Sequence, residues 1–130
     1  MLNNGAIAWR SKRQVTVVLS TMEAEYMALT EAAKELKWAR QFLSELGFAM
    51  DSATALRSDN QGAISLARNP VCHSRAKHID LRHHFIRDAV EERVVWLEYI
   101  PTADMMADSL TKALGRQKHE NCARRMGMVS

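Results

Sequence analysis

The stretch Ser20-Thr21-Met22-Glu23-Ala24-Glu25-Tyr26-Met27-Ala28-Leu29, running on to Leu46, decides how the rest of the chain is read. Ser20-Thr21-Met22-Glu23 is a capping box, in which the first and last side chains each satisfy a backbone N–H that a helix start leaves unpaired. Met22, Tyr26, Leu29, Ala33, Leu36 and Leu43 then recur at helical spacing, so the pattern predicts a helix over Ser20–Leu46 with one face on a core, closed by Gly47. Glu25 lies on that apolar face, while Glu23, Glu31 and Glu35 project elsewhere. A carboxylate in that position either reaches water at the edge of the stripe or requires a partner or a metal, because burying it alone is costly. The opposite side carries Met27, Trp38 and Phe42, which predicts a helix covered on two sides or docked against a further surface.

The chain has 130 residues, of which 47% are hydrophobic, enough for one domain with its own core, expected to span residues 1–130. Its two cysteines, Cys72 and Cys122, make no disulfide framework, and no apolar run approaches membrane-spanning length. Met1 leads directly into polar, strand-like sequence without the apolar core of a signal peptide. An intracellular protein, cytoplasmic or nuclear and not secreted, is expected. The net charge of +3 is mild, but its distribution is uneven. Arg10, Lys12 and Arg13 stand together with no acid before Glu23; Arg68, Arg75, Lys77, Arg82 and Arg87 occupy the middle; Lys112, Arg116, Lys118, Arg124 and Arg125 occupy the end. Such clusters are either solvated surface or the footprint of a polyanion.

Taken in order, Gly5–Arg10 and Gln14–Ser20 read as a hairpin with the basic turn Ser11-Lys12-Arg13. After the long helix, Thr54–Ser58 reads as a strand, Asp59-Asn60 as its exit and Gln61–Arg68 as a helix ended by Asn69-Pro70. The basic loop Val71–His78 enters a helix over Ile79–Glu92, with Ile79, His83, Ile86 and Val90 on one face. Val94–Ile100 is the last strand, and Thr102 is expected to cap a short helix Ala103–Leu114. A basic tail from about residue 115 to 130, with room for one more helix, ends the chain. Strands alternating with helices predict an α/β fold, one sheet flanked by helices.

Two further acids draw notice. Asp59 stands at the carboxyl end of a strand, where open α/β sheets place their ligand sites, and it is equally placed to cap the following helix. Asp108 lies on the side of its expected helix away from Met106, Leu110 and Ala113, facing either solvent or a cleft. A zinc site built from Cys72, His73, His78, His83 and His84 matches no zinc spacing, and His83 reads better as a core histidine.

Several separate blocks resemble a known family when read together. They are Trp9-Arg10-Ser11-Lys12-Arg13-Gln14, Leu19–Leu29, Ser58-Asp59-Asn60-Gln61, Asn69-Pro70, His73-Ser74-Arg75-Ala76-Lys77-His78-Ile79-Asp80 and Ala107-Asp108-Ser109-Leu110-Thr111-Lys112-Ala113-Leu114. In this order they are similar to the ribonuclease H domain of copia-type retrotransposon Pol polyproteins. The resemblance implies a mixed sheet flanked by helices and hydrolysis of the RNA strand of RNA:DNA hybrids. It also implies carboxylates that hold two Mg²⁺ ions, with Mn²⁺ as the alternative. Glu25, Asp59 and Asp108 match three of the family's four carboxylates, a donor set suited to hard cations. Arg10, Lys12, Arg13, Asn60, Gln61, Arg75 and Lys77 are then the nucleic-acid-binding residues. The implied partners are the hybrid, the reverse transcriptase region and other Pol segments.

The family's first strand, which carries the fourth carboxylate, has no counterpart here, since no Asp or Glu precedes Glu23. The expectations are therefore a ribonuclease H-like sheet lacking that strand, impaired catalysis, and self-association through unpaired strand edges. The competing expectation is a non-catalytic nucleic-acid-binding or protein-interaction remnant. A purely helical DNA-binding module fits less well, because of the valine-rich hairpin.

Overall fold

The computed structural model describes residues 5–11, 21–69 and 80–128, with only the backbone described at 80–83. These residues divide into two compact units, residues 17–100 and residues 1–16 with 101–130. The expected strand Gln14–Ser20, the capping residue Ser20, the basic residues Lys12, Arg13, Arg75 and Lys77, and the loop Val71–His78 lie outside the described residues.

The first unit is built on helix α1, Thr21–Glu45, within one residue of its expected ends. Its C-terminus is a Schellman motif: Gly47 has φ +88°, its N–H donates to Ser44 O at 2.9 Å, and Phe48 N–H donates to Leu43 O at 3.0 Å. That left-handed backbone is why glycine stands there. Strand β1 (Thr54–Ser58), helix α2 (Gln61–Arg68), helix α3 (Asp80–Glu91) and strand β2 (Val95–Tyr99) follow. Helix α3 ends in a second Schellman arrangement, with Arg93 at φ +56° and Val94 N–H donating to Ala89 O at 2.9 Å.

Strands β1 and β2 pair in parallel, with Thr54 opposite Val95 and Ser58 opposite Tyr99. Val95 and Leu97 are buried while Trp96 and Tyr99 are exposed, so the sheet turns one face to a core. Tyr26, Leu29 and Ala33 of α1, Ala63, Ile64 and Ala67 of α2, and Ile86 of α3 join Leu97 in that core. The apolar stripe read from the sequence is thus the packed face of α1. Its opposite side is exposed: Trp38 and Phe42 stack on each other with ring centroids 5.6 Å apart, at 64% and 48% exposure, so the expectation of a second covered face does not hold within this unit. Thr30, fully buried beside Tyr26, satisfies its hydroxyl by donating to Tyr26 O at 3.0 Å.

Thr54 N–H donates to Val94 O, and Ile100 N–H donates to Ser58 O. Parallel pairing alternates along a strand, so the backbone groups of Ala55 and Arg57 point to the other edge of β1. Among the described residues no strand pairs with that edge. The architecture is α/β and consistent with a ribonuclease H-like domain lacking a strand.

In the second unit the expected strand Gly5–Arg10 is reduced to an isolated bridge at Gly5, where Ala6 N–H donates to Met126 O at 2.9 Å. Ile7 and Trp9 alternate as strand residues should, but at 56% and 73% exposure they bury nothing that would hold a strand. The expected helix Ala103–Leu114 is also corrected. Two 3₁₀ turns stand in its place, Thr102–Asp104 and Met106–Leu110, divided by the extended backbone of Met105 (φ −70°, ψ 101°). Thr102 caps nothing, and Pro101 occupies the cap position. A segment this short forms too few hydrogen bonds to offset helix nucleation. The basic tail folds into helix α4, Arg116–Arg125, with Cys122 buried.

Candidate functional site

Asp59 is positioned by two hydrogen bonds that its neighbours make. The buried Ser58 hydroxyl accepts the Asn60 N–H at 3.1 Å, shaping the exit from β1, and Asn60 Oδ1 accepts the Ala63 N–H at 3.0 Å. Asn60 is therefore the N-cap of α2. The capping role open to Asp59 from sequence is taken, and its half-buried carboxylate stands at the carboxyl end of β1. Asn60, also read as a nucleic-acid residue, has its side-chain oxygen committed to the helix, whereas Gln61 is exposed.

Glu25 is half-buried on the second turn of α1. A Cβ placed on Gly62 would lie 3.1 Å from Met22 Sδ, so the first turns of α1 and α2 adjoin. Glu25, one turn after Met22, and Asp59, just before α2, consequently belong to the same end of this unit. Beneath Glu25, Tyr26 is 1% exposed. Burial pushes its phenol up to about 12, against a smaller lowering by Arg87.

Asp108 lies in the other unit, and it is 5% exposed. Lys112 Nζ is 2.7 Å from its Oδ1, and Lys118 Nζ is 3.7 Å from its Oδ2. The Lys112 N–H donates to Asp108 O at 2.8 Å, a single α-turn that sets the two side chains together. Oδ2 has no hydrogen-bond partner among the described residues. Neither lysine was singled out as its partner from sequence, although the four-residue spacing of Asp108 and Lys112 carries that signal.

Within neither unit do the described residues bring three His, Cys, Asp or Glu side chains together as a metal-holding group. The residues present nonetheless suit a hard divalent cation. All three candidates are carboxylates, Asp59 is released from capping, and Asp108 carries a buried oxygen without a hydrogen-bond donor, which a cation would satisfy. Of the expected nucleic-acid residues, Arg10 is exposed. No helix among the described residues is long and apolar enough to cross a membrane.

No family model and no solved structure matches the chain. It is 44% identical over 128 residues to the retrovirus-related Pol polyprotein from transposon TNT 1-94 of Nicotiana tabacum, covering 98% of this chain and 10% of that protein. The Pol polyproteins from transposons RE2 and RE1 of Arabidopsis thaliana are 41% and 39% identical over the same share of this chain, which spans 9% of each. The chain is thus similar along nearly its whole length to a segment about a tenth as long as the plant-transposon Pol polyproteins it matches.

Proposed function

We propose that this chain is a retroelement-derived ribonuclease H-like domain that binds RNA:DNA hybrids, and that Glu25, Asp59 and Asp108 are its metal-binding carboxylates. The observation that carries the reading is Asp59 at the carboxyl end of β1 with its capping role taken by Asn60, in a chain similar to Pol polyproteins. An acid in that place, freed from its commonest structural duty, is available to a ligand. Bound Mg²⁺, or Mn²⁺, supplies activation of water for attack on phosphorus and stabilisation of the leaving oxygen. The protein's own part is to hold carboxylate oxygens in a fixed frame: Ser58 and Asn60 fix the exit of β1, and packing of Tyr26 and Leu29 fixes the helix that bears Glu25. Arg10, Lys12, Arg13, Gln61, Arg75 and Lys77 hold the phosphate backbone, which positions a duplex without reading its sequence.

No Asp or Glu precedes Glu23 in these 130 residues, so two-metal hydrolysis by this chain alone is expected to be weak. A strand bearing an aspartate, fused before Gly5, is expected to confer Mg²⁺-dependent cleavage of the RNA strand of a hybrid. Asp59→Asn in that fusion then abolishes it. The second reading, a nucleic-acid-binding module without catalysis, is favoured by the two lysines on Asp108. It predicts hybrid binding with no cleavage even in the fusion.

A further inference from the structure

The surroundings of Asp108 are asymmetric. The carboxylate is almost fully buried and held by its turn, whereas the Lys112 side chain that meets its Oδ1 at 2.7 Å is 52% exposed. Lys118, at 36% exposure, stands off from Oδ2 at 3.7 Å and also donates to Thr102 O at 3.3 Å. Two ammonium groups therefore face one carboxylate. The anion cannot leave, while the Lys112 ammonium can swing into water on its four-carbon stem with little desolvation to reverse.

We propose that Lys112 is an internal counter-cation of Asp108 that a divalent metal must displace, so that Lys112 sets how tightly the metal binds. This rests on the reading of Asp108 as a metal-binding carboxylate. A hard divalent cation coordinates carboxylate oxygen at about 2.0–2.6 Å. At that range it cannot share Oδ1 with an ammonium group, because the like charges would repel at contact distance. Oδ2, without a hydrogen-bond donor among the described residues, is the oxygen a cation reaches first. Arrival there weakens the hold of the carboxylate on Lys112, which leaves Oδ1 for solvent. In the metal-free protein the same pair keeps a buried anion compensated.

The test is Mn²⁺ binding to the full chain, with free Mn²⁺ read by electron paramagnetic resonance, for the unaltered protein, Lys112→Gln, Lys112→Arg and Asp108→Asn. Removing the competing charge is expected to tighten binding roughly three- to tenfold in Lys112→Gln, the range set by an ion pair of intermediate exposure. Lys112→Arg, which keeps the charge, should bind as the unaltered protein does, and Asp108→Asn should lose the site. Equal affinity in Lys112→Gln and the unaltered protein, with Asp108→Asn still losing the site, overturns the competition and leaves Asp108 as a ligand. Undiminished binding in Asp108→Asn overturns both. A measurement that needs no charge-removing variant is the ¹⁵N resonance of the Lys112 ammonium, assigned by its absence in Lys112→Arg. It should shift on addition of Mg²⁺ to the unaltered chain, and a resonance unmoved at saturating Mg²⁺ refutes displacement.

Discussion

Asn60→Ala removes the oxygen that accepts the Ala63 N–H at 3.0 Å. Helix α2 has only eight residues, so the N–H groups of its first turn are a large share of its backbone donors, and no other side-chain acceptor caps it. Losing an Asn cap costs about 1 kcal/mol. For a chain of this size that corresponds to a fall in Tm of roughly 3–6 °C. The helix should remain docked, because Ala63, Ile64 and Ala67 stay buried beneath it. Asp59→Asn keeps the shape of the side chain and removes only an attraction to the helix dipole, about 0.5 kcal/mol at this exposure. Urea unfolding followed by circular dichroism should therefore show a lower midpoint at unchanged slope for Asn60→Ala, and less than half that change for Asp59→Asn. An Asp59→Asn loss equal to or larger than that of Asn60→Ala would refute the assignment of the cap. It would also return Asp59 to a structural role and remove the support its release gives to a ligand site.

Arg93→Gly should raise stability by about 0.5–1 kcal/mol in the same assay, since φ +56° strains an arginine and not a glycine; a loss would show that the side chain contributes more than the strain costs. The Tyr26 phenol, at about 12 when folded against 10.0 as its model value, contributes stability that is fully present below pH 10 and is lost as pH rises through about 12. That loss is about 2–3 kcal/mol at 1.36 kcal/mol per unit, so base-induced unfolding should begin above pH 10 and be flattened in Tyr26→Phe. Identical alkaline profiles for the two proteins would contradict the burial of that hydroxyl. Hybrid binding, measured by fluorescence anisotropy between 50 and 200 mM salt, should weaken steeply with salt and little with sequence; affinity indifferent to ionic strength would speak against a phosphate-binding surface.

The elements best legible in the sequence were those whose local signals and burial agree. The stripe from Met22 to Leu43, the valine-rich and leucine-bearing strands, and the Asn69-Pro70 stop placed α1, β1, α2 and β2 to within a residue or so. Thr102 to Leu114 was not legible, because its Met and Ala residues suit a helix while its length supports none without a packed face, and Met105 adopts an extended backbone. At Asp59-Asn60 both residues are good caps, so only the geometry of the Ala63 N–H separates them. Asp108 was legible as an acid of interest but not as a buried one, since its burial follows from a turn and two distant or exposed lysines. The exposed Trp38–Phe42 pair shows the limit of hydrophobic pattern, which marks an apolar face without telling what covers it.

The central claim is tested most directly by cleavage of an RNA:DNA hybrid, labelled on the RNA strand, by the chain fused before Gly5 to a strand bearing an aspartate. The account predicts Mg²⁺-dependent products from the fusion, little or none from the 130-residue chain alone, and loss of product in each of Glu25→Gln, Asp59→Asn and Asp108→Asn. Robust cleavage by the unfused chain, or a fusion whose cleavage survives those substitutions, would contradict it.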